Sequence, residues 1–103
     1  MASGILGQAN PAATTNTTIY TVPAATLASF SISIVNRSTA TITARIGISS
    51  TATPGLAEWI EYGASIPASG VLERTGLVAN ATKNVVVFIS TADASVSVYG
   101  YEE

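Results

Sequence analysis

The chain contains no cysteine and no histidine, and its 103 residues include four Lys or Arg and six Asp or Glu. The first absence excludes disulfides and thiolate chemistry, so a domain of this size is held by its core or by association. The second removes the commonest general base and metal ligand, leaving carboxylates, Lys83 and hydroxyls for any chemistry. Charged residues make up 10% of the chain, against about 25% in an ordinary soluble domain. With a formal charge of -2, there is no electrostatic basis for binding nucleic acid or an anionic membrane. No apolar run approaches the roughly 20 residues of a membrane-spanning helix. The opening Met1-Ala2-Ser3-Gly4-Ile5-Leu6 lacks the basic region and apolar stretch of a secretory signal. A soluble product of the cytosol is expected. Apolar residues also never recur at helical spacing over a long window, which excludes an amphipathic helix of ordinary length.

What is present is alternation. Residues 27–49 read LASFSISIVNRSTATITARIGIS, with Ala28, Phe30, Ile32, Ile34, Ile42, Ala44, Ile46 and Ile48 at even positions and mostly hydroxyl residues between them. Successive strand side chains point to opposite faces, so this pattern predicts two half-buried strands, joined across Asn36-Arg37-Ser38-Thr39 as a hairpin. Further strands are predicted at 17–22, 58–62, 71–78, 84–90 and 95–101, separated by turns rich in Pro, Gly, Asn and Asp. The run NVVVFIS from Asn84 is apolar on both faces and reads as a central strand, sandwiched between layers or covered by a partner. About seven strands at intervals of about 8–12 residues predict an antiparallel β-sandwich of jelly-roll or immunoglobulin-like type. Phe30, Ile32, Ile34, Ile42, Ile46, Ile48, Val85, Val87 and Ile89 are the expected core. Residues 1–16 read as an extended arm tipped by Ile5 and Leu6, and 17–103 as the sandwich domain.

Catalytic and metal constellations are weak. Glu58 and Glu61 are the nearest internal carboxylate pair, the kind of pair that works on a glycosidic bond. Their odd spacing sends them to opposite faces of a strand, and solvated or ion-paired acids, with Arg45 or Arg74 as partners, are the simpler reading. Asp93, Glu58, Glu61 and Glu73 lack the loop spacing of a calcium site. Neither catalysis, a cofactor nor a metal is expected. Trp59, Tyr62, Tyr99 and Tyr101 are candidates to stack on a sugar or a base, or to serve as core or subunit contacts. The glycosylation-like triplets at Asn16, Asn36 and Asn80 arise readily by chance where about a quarter of the residues are Ser or Thr.

Several blocks taken together carry a family resemblance: Leu6-Gly7-Gln8-Ala9-Asn10-Pro11, Thr18-Ile19-Tyr20-Thr21-Val22-Pro23, Val35-Asn36-Arg37, Glu58-Trp59-Ile60-Glu61-Tyr62, Val71-Leu72-Glu73-Arg74-Thr75-Gly76 and Val98-Tyr99-Gly100-Tyr101-Glu102-Glu103. With them the chain resembles small virion structural proteins of tailed phages, notably those infecting marine cyanobacteria. The resemblance implies a non-enzymatic particle component, made in the host cytoplasm and located in the virion. A head decoration or cement protein is the first expectation, with a tail or fibre accessory, or a carbohydrate-binding adhesin module, as alternatives. The implied partners are a phage coat or tail protein and further copies of the chain, a trimer by analogy with capsid lattices. Low charge and an apolar-tipped arm suit such repeated docking. Ile5, Leu6, Trp59, Tyr62, Tyr99 and Tyr101 are the candidate partner-binding residues.

Overall fold

A computed structural model describes residues 2–103, so Met1, the first residue of the segment read as an arm, lies outside the described residues. Eight strands follow one another: β1 (Ser3–Ala9), β2 (Thr17–Thr21), β3 (Ala28–Asn36), β4 (Ile42–Ser49), β5 (Trp59–Ile66), β6 (Val71–Ala79), β7 (Asn84–Ile89) and β8 (Ala94–Glu102), with one 3-10 turn at Leu56–Glu58. They form two four-stranded sheets in the orders β1-β8-β3-β6 and β2-β7-β4-β5. All strand pairs are antiparallel.

The pairing is nested: β1 with β8, β2 with β7, β3 with β6 and β4 with β5. That is one long ribbon whose tip is the β4–β5 connection. Rolled up, the ribbon brings β3 beside β8 and β4 beside β7. This wrapping is a jelly roll, which decides between the two sandwich types the periodicity allows.

Two expectations about the chain path are corrected. Residues 27–49 do not form a hairpin, because β3 and β4 lie in different sheets. Their even positions are buried in both arrangements; here they face each other across the interior instead of sharing one sheet face. Sheets pack about 10 Å apart, and the five residues 37–41 can span that gap at about 3.3–3.6 Å each. The crossing is fixed by Asn36, which is fully buried. Its amide donates to the carbonyls of Ala40, Ile66 and Pro67 at 2.8–3.1 Å, and its oxygen accepts from the Ser38 amide and hydroxyl. The segment read as an arm is likewise not free. Residues 3–9 are an edge strand, registered from Ser3 opposite Tyr101 to Ala9 opposite Val96.

The core is what alternation predicts. Phe30, Ile32, Ile34, Ile42, Ile46, Val85, Val87 and Ile89 are buried, joined by Val96 and Val98, and Ile48 packs against them half-buried. The sandwich is laced at one end by loops 10–16, 37–41, 67–70 and 90–93. There the Arg37 amide donates to Asp93 O, its guanidinium to Asn10 Oδ1, and the Asn36 amide to Gly70 O. Along one side Arg74 of β6 pairs with Glu61 of β5, clasping an edge of each sheet to the other.

Candidate functional site

The six residues singled out from sequence separate onto three parts of the molecule. Leu6 is half-buried against the core at a register shift between Ile5 and Gly7, so it is taken up by the chain's own interior. Ile5, Tyr99 and Tyr101 lie on the outer face of the β1-β8-β3-β6 sheet, where Ile5 opposes Tyr99, and Tyr101 opposes both Ser3 and Ser29. Trp59 and Tyr62 lie on the outer face of the other sheet.

The first face is hydroxyl-rich. The polar positions of β3 and β8 alternate with the core positions, so Ser29, Ser31, Ser33, Ser95 and Ser97 face outward beside the two tyrosines. Val71 and Val78 on β6 are more than half exposed, as is Ile5 on β1, and Tyr101 is nearly so. The face carries one acid, Glu73, which accepts a hydrogen bond from the Tyr99 hydroxyl at 2.6 Å across the intervening β3. That bond raises the Tyr99 phenol above its ordinary value. The result is an outer surface of serine, tyrosine and aliphatic groups with almost no free charge.

The second face is built by an irregularity that alternation cannot anticipate. On a regular strand Trp59 and Tyr62, three residues apart, point to opposite sides. In β5 the register against β4 jumps twice: Gly47 faces Trp59 and Ile46 faces Glu61, then Arg45 faces Tyr62 and Ala44 faces Ala64. Ile60 and Gly63 are the extra residues, and Gly63 takes a φ of +77°, the backbone of a glycine bulge. Ile60 turns to the core, while Trp59 and Tyr62 meet edge to face with centroids 5.8 Å apart. The segment expected to be a connection at 63–70 is therefore strand as far as Ile66.

Trp59 needs the bare backbone beneath it. A Cβ on Gly47 would stand 3.1 Å from the Trp59 ring and 3.0 Å from Pro54. Pro54 belongs to the β4–β5 connection, which folds back over this face. Glu58 ties that connection down, its carboxylate accepting from the Gly55 amide at 2.8 Å and the Ser50 amide at 3.1 Å. Those two amides hold the Glu58 carboxyl below its ordinary value. Both members of the candidate carboxylate pair thus have structural roles, Glu58 in the loop and Glu61 with Arg74.

Arg45, Phe88 and Leu56 complete the second face; sequence reading named Arg45 only as an ion-pair partner for the acids, a role that Arg74 takes with Glu61, and selected neither of the others as a site residue. The Arg45 guanidinium lies 4.2 Å from the Tyr62 ring centroid, 4.4 Å from Phe88 and 5.9 Å from Trp59. Leu56, Trp59 and Tyr62 line an open depression of about 380 Å³, with Leu56 95% exposed at its side. The available signal was the run NVVVFIS. Val85, Val87 and Ile89 fill the core side of β7, and the opposite side carries Val86, opposed by Gly47 and fully buried, and Phe88 under Arg45. Apolar residues on both sides of β7 marked a covered outer face.

Among the described residues no group of three or more acids is placed to hold a metal ion, and no helix is long and apolar enough to cross a membrane. No family model, curated protein or solved structure matches the chain.

Proposed function

We propose that this protein is a non-enzymatic structural component of a tailed-phage particle, a decoration or cement subunit of the head. The observation that carries the reading is the outer face of the β1-β8-β3-β6 sheet. It is nearly uncharged, and populated by Ile5, Tyr99, Tyr101, Val71 and Val78 among serines. Interface cores are depleted in charge and enriched in tyrosine, so this composition suits a surface that is covered in the assembled state. The jelly roll recurs in viral capsid proteins, and also in lectins and cupins; that is an analogy of fold, which leaves function to the surface. On a coat lattice the face sits on the coat protein, and neighbouring copies, three around a local axis, share the load through many modest contacts. A tail or fibre position is the second reading.

The test is to add purified protein to bare expanded heads and, separately, to tails, and to count bound copies. Saturation of heads at a number matching the lattice supports decoration. Binding to tails alone moves the protein to the tail, and binding to neither removes the particle assignment. Tyr101→Asp, at an exposed position on the docking face, is expected to weaken head binding by at least tenfold while the fold is unchanged, because it places an unpaired charge in the interface.

A further inference from the structure

We propose that the opposite face carries a binding site for a carboxylate-bearing sugar, a uronic acid unit of an acidic polysaccharide, with Arg45 as the residue that recognises the acid. The site lies on the other sheet from the docking face, so it is independent of the particle assignment.

Three observations support it. The first is the state of Arg45. Its guanidinium has Tyr62 at 4.2 Å and Phe88 at 4.4 Å, and among the described residues no acceptor bonds its N–H groups. Every buried side-chain nitrogen and oxygen among the described residues has a partner, so the unpartnered guanidinium edge is at the surface. The other three basic side chains are engaged: Arg37 with Asn10, Arg74 with Glu61 and Lys83 with Ser50. A guanidinium held by rings and free at its edge presents a preformed fork for a carboxylate.

The second observation is the adjoining depression. Its volume of about 380 Å³ falls at the small end of the range of about 300–1,000 Å³ typical of small-molecule sites. It is lined by Leu56 and by the Trp59 and Tyr62 rings, and Arg45 adjoins it through those same two rings, at 5.9 and 4.2 Å from their centroids.

The third observation discriminates between ring types. Aromatic platforms also stack nucleobases, but single-stranded nucleic acid needs a basic groove that follows the phosphates. Here, among the described residues, Arg45 is the one basic side chain against the Trp59 and Tyr62 rings, on a chain of charge -2. A ring with a single negative charge and an apolar C–H face fits the composition of the site.

The full chain is titrated with glucuronate, with glucose as its uncharged counterpart and with acetate as the bare acid. Trp59, the single tryptophan, reports by its fluorescence. Glucuronate is expected to saturate, with glucose and acetate each at least about tenfold weaker, the scale of one charge-assisted contact or one stacking platform. Arg45→Gln should reduce glucuronate to the level of glucose, and Arg45→Lys should recover only part, since an ammonium lacks the planar fork. If Arg45→Gln fails to fold because Phe88 is uncovered, Tyr62→Ala, at an exposed position, still tests the platform and should weaken glucuronate and glucose alike. Equal response to glucose and glucuronate, acetate as effective as glucuronate, or no saturable response overturns the proposal. So does a loss of head or tail binding in Arg45→Gln without sugar binding in the parent, which makes this face a protein contact.

Discussion

Two side-chain hydrogen bonds to Glu102 add to the backbone pair of Leu27 with Glu103 in fastening the end of the chain to the sandwich. The Tyr20 hydroxyl, in the interior of the β2 sheet, donates to Glu102 at the end of β8, and the Ala2 amide donates to the same carboxylate. The Tyr20 bond, then the Ala2 bond, hold the Glu102 carboxyl below its ordinary 4.5. Burial, then Glu102, hold the Tyr20 phenol above its ordinary 10.0. The consequences for stability have opposite signs. A carboxyl depressed in the folded state contributes stability above its ordinary value and loses it as pH falls through the depressed one. A phenol raised in the folded state contributes below its ordinary value and loses it as pH rises beyond. Stability is therefore expected to be level between about pH 5 and pH 10, and to fall on both sides. Tyr20→Phe should lower the plateau and make both flanks shallower in thermal melts across pH; Glu58, also depressed, retains part of the acid flank. Flanks identical to those of the parent would show that the pair carries no linkage.

At the scale of the element, β1 decides what the first ten residues do. Read as an arm, they are dispensable for folding and useful for docking. Folded as an edge strand, they cover the outer edge of β8 and place Leu6 against the core. Deleting residues 1–10 should therefore cost on the order of 2 kcal/mol or more. For a chain of this length that lowers the melting midpoint by about 10 °C. It should also promote association through the bared edge of β8. Ile5→Ser, at a side chain that points outward, should stay within about 0.5 kcal/mol of the parent. Melts of the two variants separate a strand from an arm: equal and unchanged midpoints would mean that the pairing with β8 contributes nothing.

At the scale of the whole molecule, the nested pairing makes most contacts distant in sequence. Ser3 opposes Tyr101, and Thr17 opposes Val87; among the pairs joining successive strands, only the β4–β5 tip is formed within one sheet. The entropy of closing long loops is met before these contacts form, so folding is expected on the slow scale of β-sandwiches, about milliseconds to seconds. Stopped-flow refolding monitored by Trp59 checks this, and Trp59 is well placed because it sits beside the tip, in the one pair of successive strands that share a sheet. Refolding complete in microseconds would contradict a rolled ribbon.

Alternation alone determined the all-β class, the inward residues of β3, β4 and β7, and the hydroxyl residues between those of β3 and β4, because a period of two assigns faces without reference to any partner strand. It left the partner undetermined. The even residues of 27–49 are buried whether β3 and β4 share a sheet or face each other, and the arrangement is decided by the contacts of Asn36 with carbonyls up to 31 residues away. The candidate sugar site was partly visible: Trp59 and Tyr62 stand out by residue type, and the doubly apolar β7 implied a cover over Phe88. Their union with Arg45 was not visible. It depends on two extra residues in β5, Ile60 and Gly63, which bring two rings to one face, and on a register that sets Arg45 opposite Tyr62. Periodicity describes a regular strand, whereas bulges and register arise from the pairing of one strand with another, and that pairing exists only in the folded chain.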